Sequence, residues 1–534
     1  MRKGPLLLAA AGLVAAVAPA ALSPVHADDL PYASVQRSYI TSPDGTPIVY
    51  NLFLPPGASA ASPVPVVMRT HGWGGSGETT FSHGSTGGKL LDAGYAVLTW
   101  DERGFGQSGG DAYIDDPNHE VVDAEALIDD VLVRTPAIAR TAPSDPVIGM
   151  TGGSYAGGIQ LALAAFDHRV DVIAPEITWN DLNRALWPGN VIKFGWGELL
   201  YGSGLATATD GGLTPSGTAG IQTGAYAPFI HESEAEGLAL GYPTAQARAN
   251  FSTQGFKFYG PTHPIAAPTL LIQGKTDTLF DLNEAWANFK QVRAAGTPVH
   301  LLAYCLGHAG CPSDFKDGAL ARTEADNAIL TWFARYLKGD TKVHTGAPVH
   351  YSLKDGTWHD APTLPTVAHP GPAVFTDVHG SGTVVSPGQP NPGENSGQQY
   401  GVAVTDTDTS GDPGTMVVPV VDAAGADRQI VGIGHVTGTI SGVGPGTNLL
   451  FKLVDREDKR VVDYQAAALR VDGPFVLPTD AQKLSVDLTG VAELLPAGHH
   501  LDLEVSTTGL AHVSYRGAGQ FTLDLTHIQV PVIG

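Results

Sequence analysis

Residues 149–158 read GMTGGSYAGG, and Ser154 near their centre is the first candidate for chemistry. The apolar run PVIGMTG (146–152) leads into it and the helix-compatible run IQLALAAF (159–166) follows. This is the setting of a nucleophile elbow, a tight strand-to-helix turn that needs small residues beside the serine and lifts its hydroxyl above a sheet. The pattern here is Gly152-x-Ser154-x-Ala156, with Gly157 one place later, and alanine is small enough for the turn. A serine hydroxyl is a weak nucleophile until a base takes its proton, so a histidine and an orienting acid are required elsewhere. In elbow-bearing folds the chain order is serine, acid, histidine, each on a loop after a strand. Asp277 follows the apolar run APTLLIQG (267–274), with Asp281 as a rival acid, and His308 follows the next run, PVHLLAY (298–304).

The histidine lies in YCLGHAGCP (304–312), three residues from each of the chain's two cysteines, Cys305 and Cys311. That spacing admits a zinc clasp, a disulfide that happens to span a histidine, or a catalytic base pinned by a disulfide. In an oxidising compartment two cysteines pair, and the order Ser154, Asp277, His308 gives the histidine the role of base. No metal and no cofactor are expected. The oxyanion formed on attack needs donors: the amide of Tyr155, directly after the serine, and that of Trp73 in THGWGGSG (70–77), which follows the strand-like VPVVMR. No Gly-Lys-Ser/Thr accompanies these glycines, so they do not form a phosphate loop. DERGFGQSGG (101–110) has the wrong spacing for a dinucleotide fingerprint, and an ion pair between Asp101 and Arg103 is expected to hold it.

These residues need a scaffold. The runs VPVVMRT (64–70), YAVLTWD (95–101) and VDVIAPEIT (170–178) join those above as continuously apolar segments, which strands covered on both faces require. A hairpin with its turn at Asp44-Gly45 precedes them, and RTEADNAILTWFARYLKG (322–339) carries helical spacing, with Thr323 and Asp326 resembling a capping box. The expected class is α/β with a mostly parallel sheet. Nearly ninety residues separate the strand ending near Thr178 from the one starting near Ala267, too long for a simple crossover and therefore a cap insertion at about 180–262. Its aromatics, among them Trp187, Phe194 and Trp196, suit an apolar pocket, while Glu198, Glu232 and Glu234 read as solvated surface. After residue 340 comes a Pro/Gly-rich passage, 362–401, read as ordered loop and linker. Period-two segments such as LLFKLVD (449–455), KLSVDL (483–488), LDLEVS (501–506) and FTLDL (521–525) then indicate a β-sandwich or jelly roll. The expected division is a leader at 1–27, a catalytic domain at 28–345 and a C-terminal domain at 346–534.

The leader reading rests on Arg2 and Lys3, an Ala/Leu/Val run, and VHA before Asp28, a small-x-small cleavage site near Ala27. The mature chain would be secreted. No later segment is long and apolar enough to span a bilayer. The formal charge of −23, more negative still without the leader, disfavours nucleic acid, whose phosphates need a basic face. The expected partner is a small-molecule or peptide substrate.

GGSYAG, with tyrosine after the serine, resembles the Gly-x-Ser-Tyr-x-Gly signature of the Xaa-Pro dipeptidyl-peptidase and cocaine-esterase family of serine hydrolases. DERGFGQSGG, the Asp277 loop and GHAG agree with it. The resemblance implies an α/β-hydrolase domain with a helical cap, a C-terminal jelly roll, and acyl hydrolysis by Ser154, Asp277 and His308 on a peptide, amide or ester. Esterases of the family offer a tyrosine hydroxyl to the oxyanion where this chain has HGWGG, and neither Gly72 nor Trp73 supplies one. Its peptidases place an acid in the pocket for the substrate's amine. A different class stays open at this point: an exported binding protein on a degenerate hydrolase fold.

Overall fold

The computed structural model describes residues 32–33, 35–208, 226–388, 403–477 and 481–534, and the leader expected at 1–27 lies outside them. The hairpin is β1 (Gln36–Thr41) and β2 (Pro47–Phe53), turned by Gly45 at φ +92°. Each continuously apolar run forms a strand: β3 (Val66–Arg69), β4 (Ala96–Trp100), β5 (Ile148–Gly153), β6 (Val170–Glu176), β7 (Thr269–Gly274) and β8 (Val299–Tyr304). Two further strands, β9 (Val349–Ser352) and β10 (Trp358–Ala361), carry the same sheet past the junction expected near 345, because β9 pairs in parallel with β8 and β10 folds back on β9. The ten-stranded order is β10-β9-β8-β7-β6-β5-β3-β4-β2-β1. Strands β3 to β9 pair in parallel, so their C-terminal ends share one edge.

Helices cover both faces. In chain order they are α1 (Thr86–Asp92), α2 (Glu120–Leu127), α3 (Tyr155–Phe166), α4 (Leu182–Leu186), α5 (Phe194–Ala208), α6 (Pro228–Leu240), α7 (Ala245–Ser252), α8 (Phe256–Tyr259), α9 (Leu282–Ala294) and α10 (Gly318–Tyr336). Val66 and Met68 face a core shared with Ile159 and Phe289, while Val67 faces another with Leu90 and Trp332. This alternation is what a strand buried on both sides needs. Helix α10 begins at Gly318, ahead of the expected box. Thr323 lies inside the helix, and Asp326 is drawn into tertiary pairing with Lys89 (2.6 Å) and Arg322 (2.7 Å). The insertion between β6 and β7 is helical, formed by α4 to α8. Among the described residues no helix is long and apolar enough to cross a membrane.

The C-terminal region is antiparallel. Its strands are β11 (Val378–Pro387), β12 (Met416–Val421), β13 (Arg428–Gly432), β14 (His435–Asp455), β15 (Arg460–Phe475), β16 (Gln482–Asp487), β17 (Val491–Leu495), β18 (Leu501–Ser506) and β19 (Ala518–Gln529). A seven-stranded sheet runs β11-β19-β14-β18-β12, with β15 and β16 also on β14, and β13 pairs with β17. Part of the passage expected as loop and linker is therefore strand: β11 alternates exposed and covered residues and gains order from nine-residue pairing with β19, a tertiary effect that its glycines and proline conceal. Val431, Ile433 and Ala492 pack into the catalytic-side core, so the two regions share apolar contact.

Beneath α3 lies a layer of buried acids. Tyr155 turns its hydroxyl down to donate to Glu120 Oε1 (3.2 Å) and accept from the Asp115 amide (3.4 Å). Asp115 and Ile114 sit in left-handed backbone, and Asp115 lies against α3 so closely that a Cβ on Gly158 would fall 2.2 Å from its Oδ2. Neither Asp115 oxygen meets a donor among the described residues. Burial, and then the neighbouring carboxyls of Glu102 and Glu120, push Asp115 well above the usual carboxylate range. A raised folded value means that stability is full below the unfolded value near ~4 and drains away as pH rises toward the folded one. Asp115→Asn removes that drain. Its melting temperature should match wild type near pH 4 and exceed it by a margin that widens toward pH 8, measured by calorimetry; a margin independent of pH would mean that folding leaves the Asp115 carboxyl unshifted.

Candidate active site

The turn after β5 is built as its sequence requires. Ser154 holds φ +61° and ψ −121°, a conformation that side-chain-bearing residues rarely adopt, and α3 starts at the next residue. Gly152 makes this possible, since a Cβ there would meet the Ala156 Cβ at 2.7 Å. Alanine in the fifth position of the motif is thus tolerated because its neighbour in space is glycine.

Ser154, Asp277 and His308 meet at the C-terminal edge of the sheet, after β5, β7 and β8. His308 Nε2 lies 2.8 Å from Ser154 Oγ, and Nδ1 lies 2.7 Å from Asp277 Oδ2. The carboxylate fixes the tautomer: Nδ1–H donates to it, leaving Nε2 to accept from the serine hydroxyl. Asp277 is fully buried, and four donors answer its charge. Its Oδ1 accepts the amides of Leu279 (2.9 Å) and Phe280 (3.1 Å), and its Oδ2 accepts the His308 amide (3.2 Å) besides the imidazole. The rival Asp281 instead caps α9 through the Asn283 amide.

Phe280 and Trp196 stand edge-on to the His308 ring at centroid distances of 5.2 and 5.8 Å. Cys305 and Cys311 are joined as a disulfide around the loop. Gly307, at φ +139°, lets that loop pass the acid, since a Cβ there would sit 2.5 Å from Asp277 Cβ. Thr276 ties the two loops, donating to Gly310 O at 2.8 Å.

The glycine-rich loop after β3 runs beside the serine: a Cβ on Gly72 would be 3.8 Å from that of Ser154. His71 anchors it. Its Nε2 accepts the Glu102 amide (3.0 Å), which leaves the proton on Nδ1 for Gly72 O (2.8 Å), and burial pushes the imidazole down and keeps it neutral. Trp73 follows, its indole donating to Leu200 O in the cap at 3.0 Å and stacking edge-on with Tyr155 and Phe105. Tyr155, as the first residue of α3, offers an amide that no helical carbonyl can use. The loop of DERGFGQSGG is not held by an Asp101–Arg103 pair. Arg103 pairs with Asp123 (2.6 Å) and Asp44 (3.0 Å), while Asp101 accepts the amides of Gly77 (2.6 Å) and Gln107 (2.8 Å), so the two neighbours stabilise different segments.

The serine opens into a cavity of about 530 Å³ under the cap, lined by apolar residues such as Trp187, Phe194 and Phe251 and reaching Val513 and Arg516 of the C-terminal region. Two acids expected at the surface face into it: Glu198 of α5 and Glu234 of α6. Only Glu232 is exposed as expected. Burial, then the Glu198 charge and a hydrogen bond between the two side chains, push Glu234 up to about 8. Nothing in the sequence pairs these residues, which sit on different helices with the undescribed segment 209–225 between them. Lys193 also reaches the wall, its buried ammonium donating to Leu279 O at 3.0 Å. Among the described residues, cysteine–carboxylate and Asp455–Asp458–His499 groupings lie close enough to suggest metal ligation, but the first contains the disulfide and the second already has Lys354 3.5 Å from Asp458 and 3.9 Å from Asp455.

The family model of X-Pro dipeptidyl-peptidase (S15 family) matches residues 44–310, a span that contains Ser154, Asp277 and His308. No curated protein matches the chain. Among solved structures, an aminopeptidase from a marine sediment archaeon, Thaumarchaeota archaeon, is similar with TM-score 0.67 at 14% identity, over 95% of this chain and 97% of its own. A CocE/NonD family hydrolase from Staphylococcus aureus gives TM-score 0.64 at 14% identity, over 94% and 96%. An α-amino acid ester hydrolase gives 0.65 at 14%, over 96% and 100%. These likenesses show the fold, an α/β hydrolase followed by an antiparallel β region. With half of its length matched by the family model, the chain belongs to the X-Pro dipeptidyl-peptidase (S15) family and is a serine hydrolase.

Proposed function

We propose that this is an exported hydrolase that cleaves an acyl bond through an acyl-enzyme on Ser154, and that its substrate carries a free amine on the acyl side, as a peptide N-terminus does. The observation that carries the reading is the unbroken chain of hydrogen bonds from Asp277 through His308 to Ser154, opening on a cavity with a carboxyl pair. His308 takes the serine proton as the hydroxyl attacks the carbonyl and returns it to the leaving group, while Asp277 stabilises the imidazolium. The oxyanion falls to backbone amides, that of Tyr155 at the start of α3 and that of Trp73 in the adjoining loop. The apolar walls accept side chains, and water then releases the acyl group.

Glu198 and Glu234 account for the amine. Two carboxyls held together in a half-buried site share a proton because both cannot ionise cheaply. An ammonium entering between them supplies the missing positive charge and displaces that proton, giving a charge-assisted pair. A dipeptidyl-peptidase that releases Xaa-Pro units is the substrate reading most like the family. An ester hydrolase would use the same acyl side with a better leaving group.

Export is supported by the leader-like start, and the Cys305–Cys311 bridge suits an oxidising compartment. Three outcomes are expected. A fluorophosphonate should label wild-type protein at Ser154 and leave folded Ser154→Ala unlabelled; absence of labelling in wild type would remove the acyl-enzyme. On matched aminoacyl and des-amino esters, Glu234→Gln should raise KM for the amine-bearing substrate about tenfold or more and leave the des-amino one within about twofold, the size of one lost charged hydrogen bond. Equal effects on both would return the acid pair to a structural role. Protein recovered from culture medium should begin at Asp28 by N-terminal sequencing, and retention of Met1 in the cell fraction would count against export.

A further inference from the structure

We propose that Gln465, on β15 of the C-terminal region, is a positioning residue for the Asp277 carboxylate, so that the β-sandwich sets the geometry of the catalytic acid. The inference rests on the triad reading above. The side-chain amide of Gln465 donates to Lys275 O at 2.9 Å and to Asp277 O at 3.0 Å. Both acceptors are backbone carbonyls, so the orientation of the amide is fixed by chemistry, NH₂ toward the loop. Gln465 is 5% exposed, and water has little opportunity to substitute.

The backbone around Gln465 is shaped for this contact. Pairing between β14 and β15 breaks register between Lys452 and Val454, and the bulged stretch holds Asp463 at φ +47° and Tyr464 at φ +61°. Bulges re-aim side chains, and two consecutive non-glycine residues in left-handed backbone persist only when their surroundings over-determine them. At Asp463 they do: its carboxyl accepts the Ala492 amide at 2.7 Å, and its own amide donates to Glu493 at 3.0 Å. Ala492 in turn accepts from the fully buried Lys275 ammonium at 3.0 Å, which also pairs with Asp317 at 3.0 Å. Thr278, on the other side of the acid, donates to Val404 O at 2.6 Å. The loop is thus gripped by the C-terminal region before, at and after Asp277.

A carboxylate that orients a base works through sub-ångström placement, and a shift of about 1 Å can cost about a hundredfold in rate. The test uses the full-length enzyme with Gln465→Leu, which keeps volume and removes both donors, and Gln465→Met, which keeps length, should leucine fail to fold. Fluorophosphonate titration counts competent Ser154 sites in each preparation. Per titrated site, kcat is expected to fall about ten- to a hundredfold with KM within about twofold, the pattern of a group that matters in the transition state. The acidic limb of kcat/KM should also move to lower pH, since an imidazolium with a displaced partner gives up its proton more readily. A lower melting temperature or fewer titrated sites, with kcat per site and the acidic limb unchanged, would make Gln465 a strut between regions and overturn the proposal. Wild-type protein with no titratable Ser154 would instead defeat the triad reading itself.

Discussion

A carboxylate with no access to water holds this site together. Removing Asp277 from solvent costs several kcal/mol even after relaxation, and each hydrogen bond to a charged acceptor returns about 1.5–3 kcal/mol. Four of them, three from backbone amides and one from imidazole, offset that cost and hold the group still. Because the amides come from two loops, the acid cannot be satisfied unless the ends of β7 and β8 are in register, and parallel pairing of those strands supplies that register residue by residue. The imidazole is then a consequence: its Nδ1 has one acceptor within reach, and its Nε2 faces the serine.

The same requirement explains several choices nearby. Gly274 and Gly307 leave no room for side chains, because a Cβ on the first would meet the Leu306 carbonyl at 1.7 Å and one on the second the Asp277 side chain. The disulfide closes only six positions of sequence, so the loop entropy it removes from the unfolded chain is modest, and the loop it closes is the one that carries His308. Phe280 serves twice, giving its amide to Asp277 and its ring edge to His308.

Much of this was legible in the sequence because buried parallel strands and tight catalytic turns constrain composition locally. Continuous apolar runs marked six strands, small residues marked the elbow, and the order of Ser154, Asp277 and His308 along the chain matched their order along the sheet edge. What escaped was set by partners far away in the chain. Asp326 looked like a cap residue because its neighbour Thr323 was suitably spaced, yet Lys89 and Arg322 claim it. Arg103 looked paired with Asp101 because only one residue separates them, yet Asp123, twenty positions on, holds it in a bidentate pair and Asp101 is taken up by backbone amides. Strand β11 was hidden by glycine and proline, and Glu198 with Glu234 by the length of chain between their helices. Gln465 gave no signal at all, since a lone glutamine in an alternating strand reads as surface.

Backbone strain is distributed around the same centre. Ser154, Ile177 just after β6, Ile114 with Asp115 beneath α3, and Asp463 with Tyr464 in the bulge all lie in the left-handed half of backbone space without being glycine. Such residues are individually unfavourable by about 1–3 kcal/mol, and local sequence does not favour any of them. Four of the six are held by a partner outside their own element: the Ser154 amide by Glu176 O, the Ile177 amide by Ile272 O, the Asp115 amide by the Tyr155 hydroxyl, and the Asp463 amide by Glu493. Strain maintained in this way needs a rigid surround, which the ten-stranded sheet gives on one side and the β-sandwich on the other. The C-terminal region holds its own strained pair in the bulge and meets the sheet through Val431, Ile433 and Ala492, whose apolar burial stabilises the contact between the two regions.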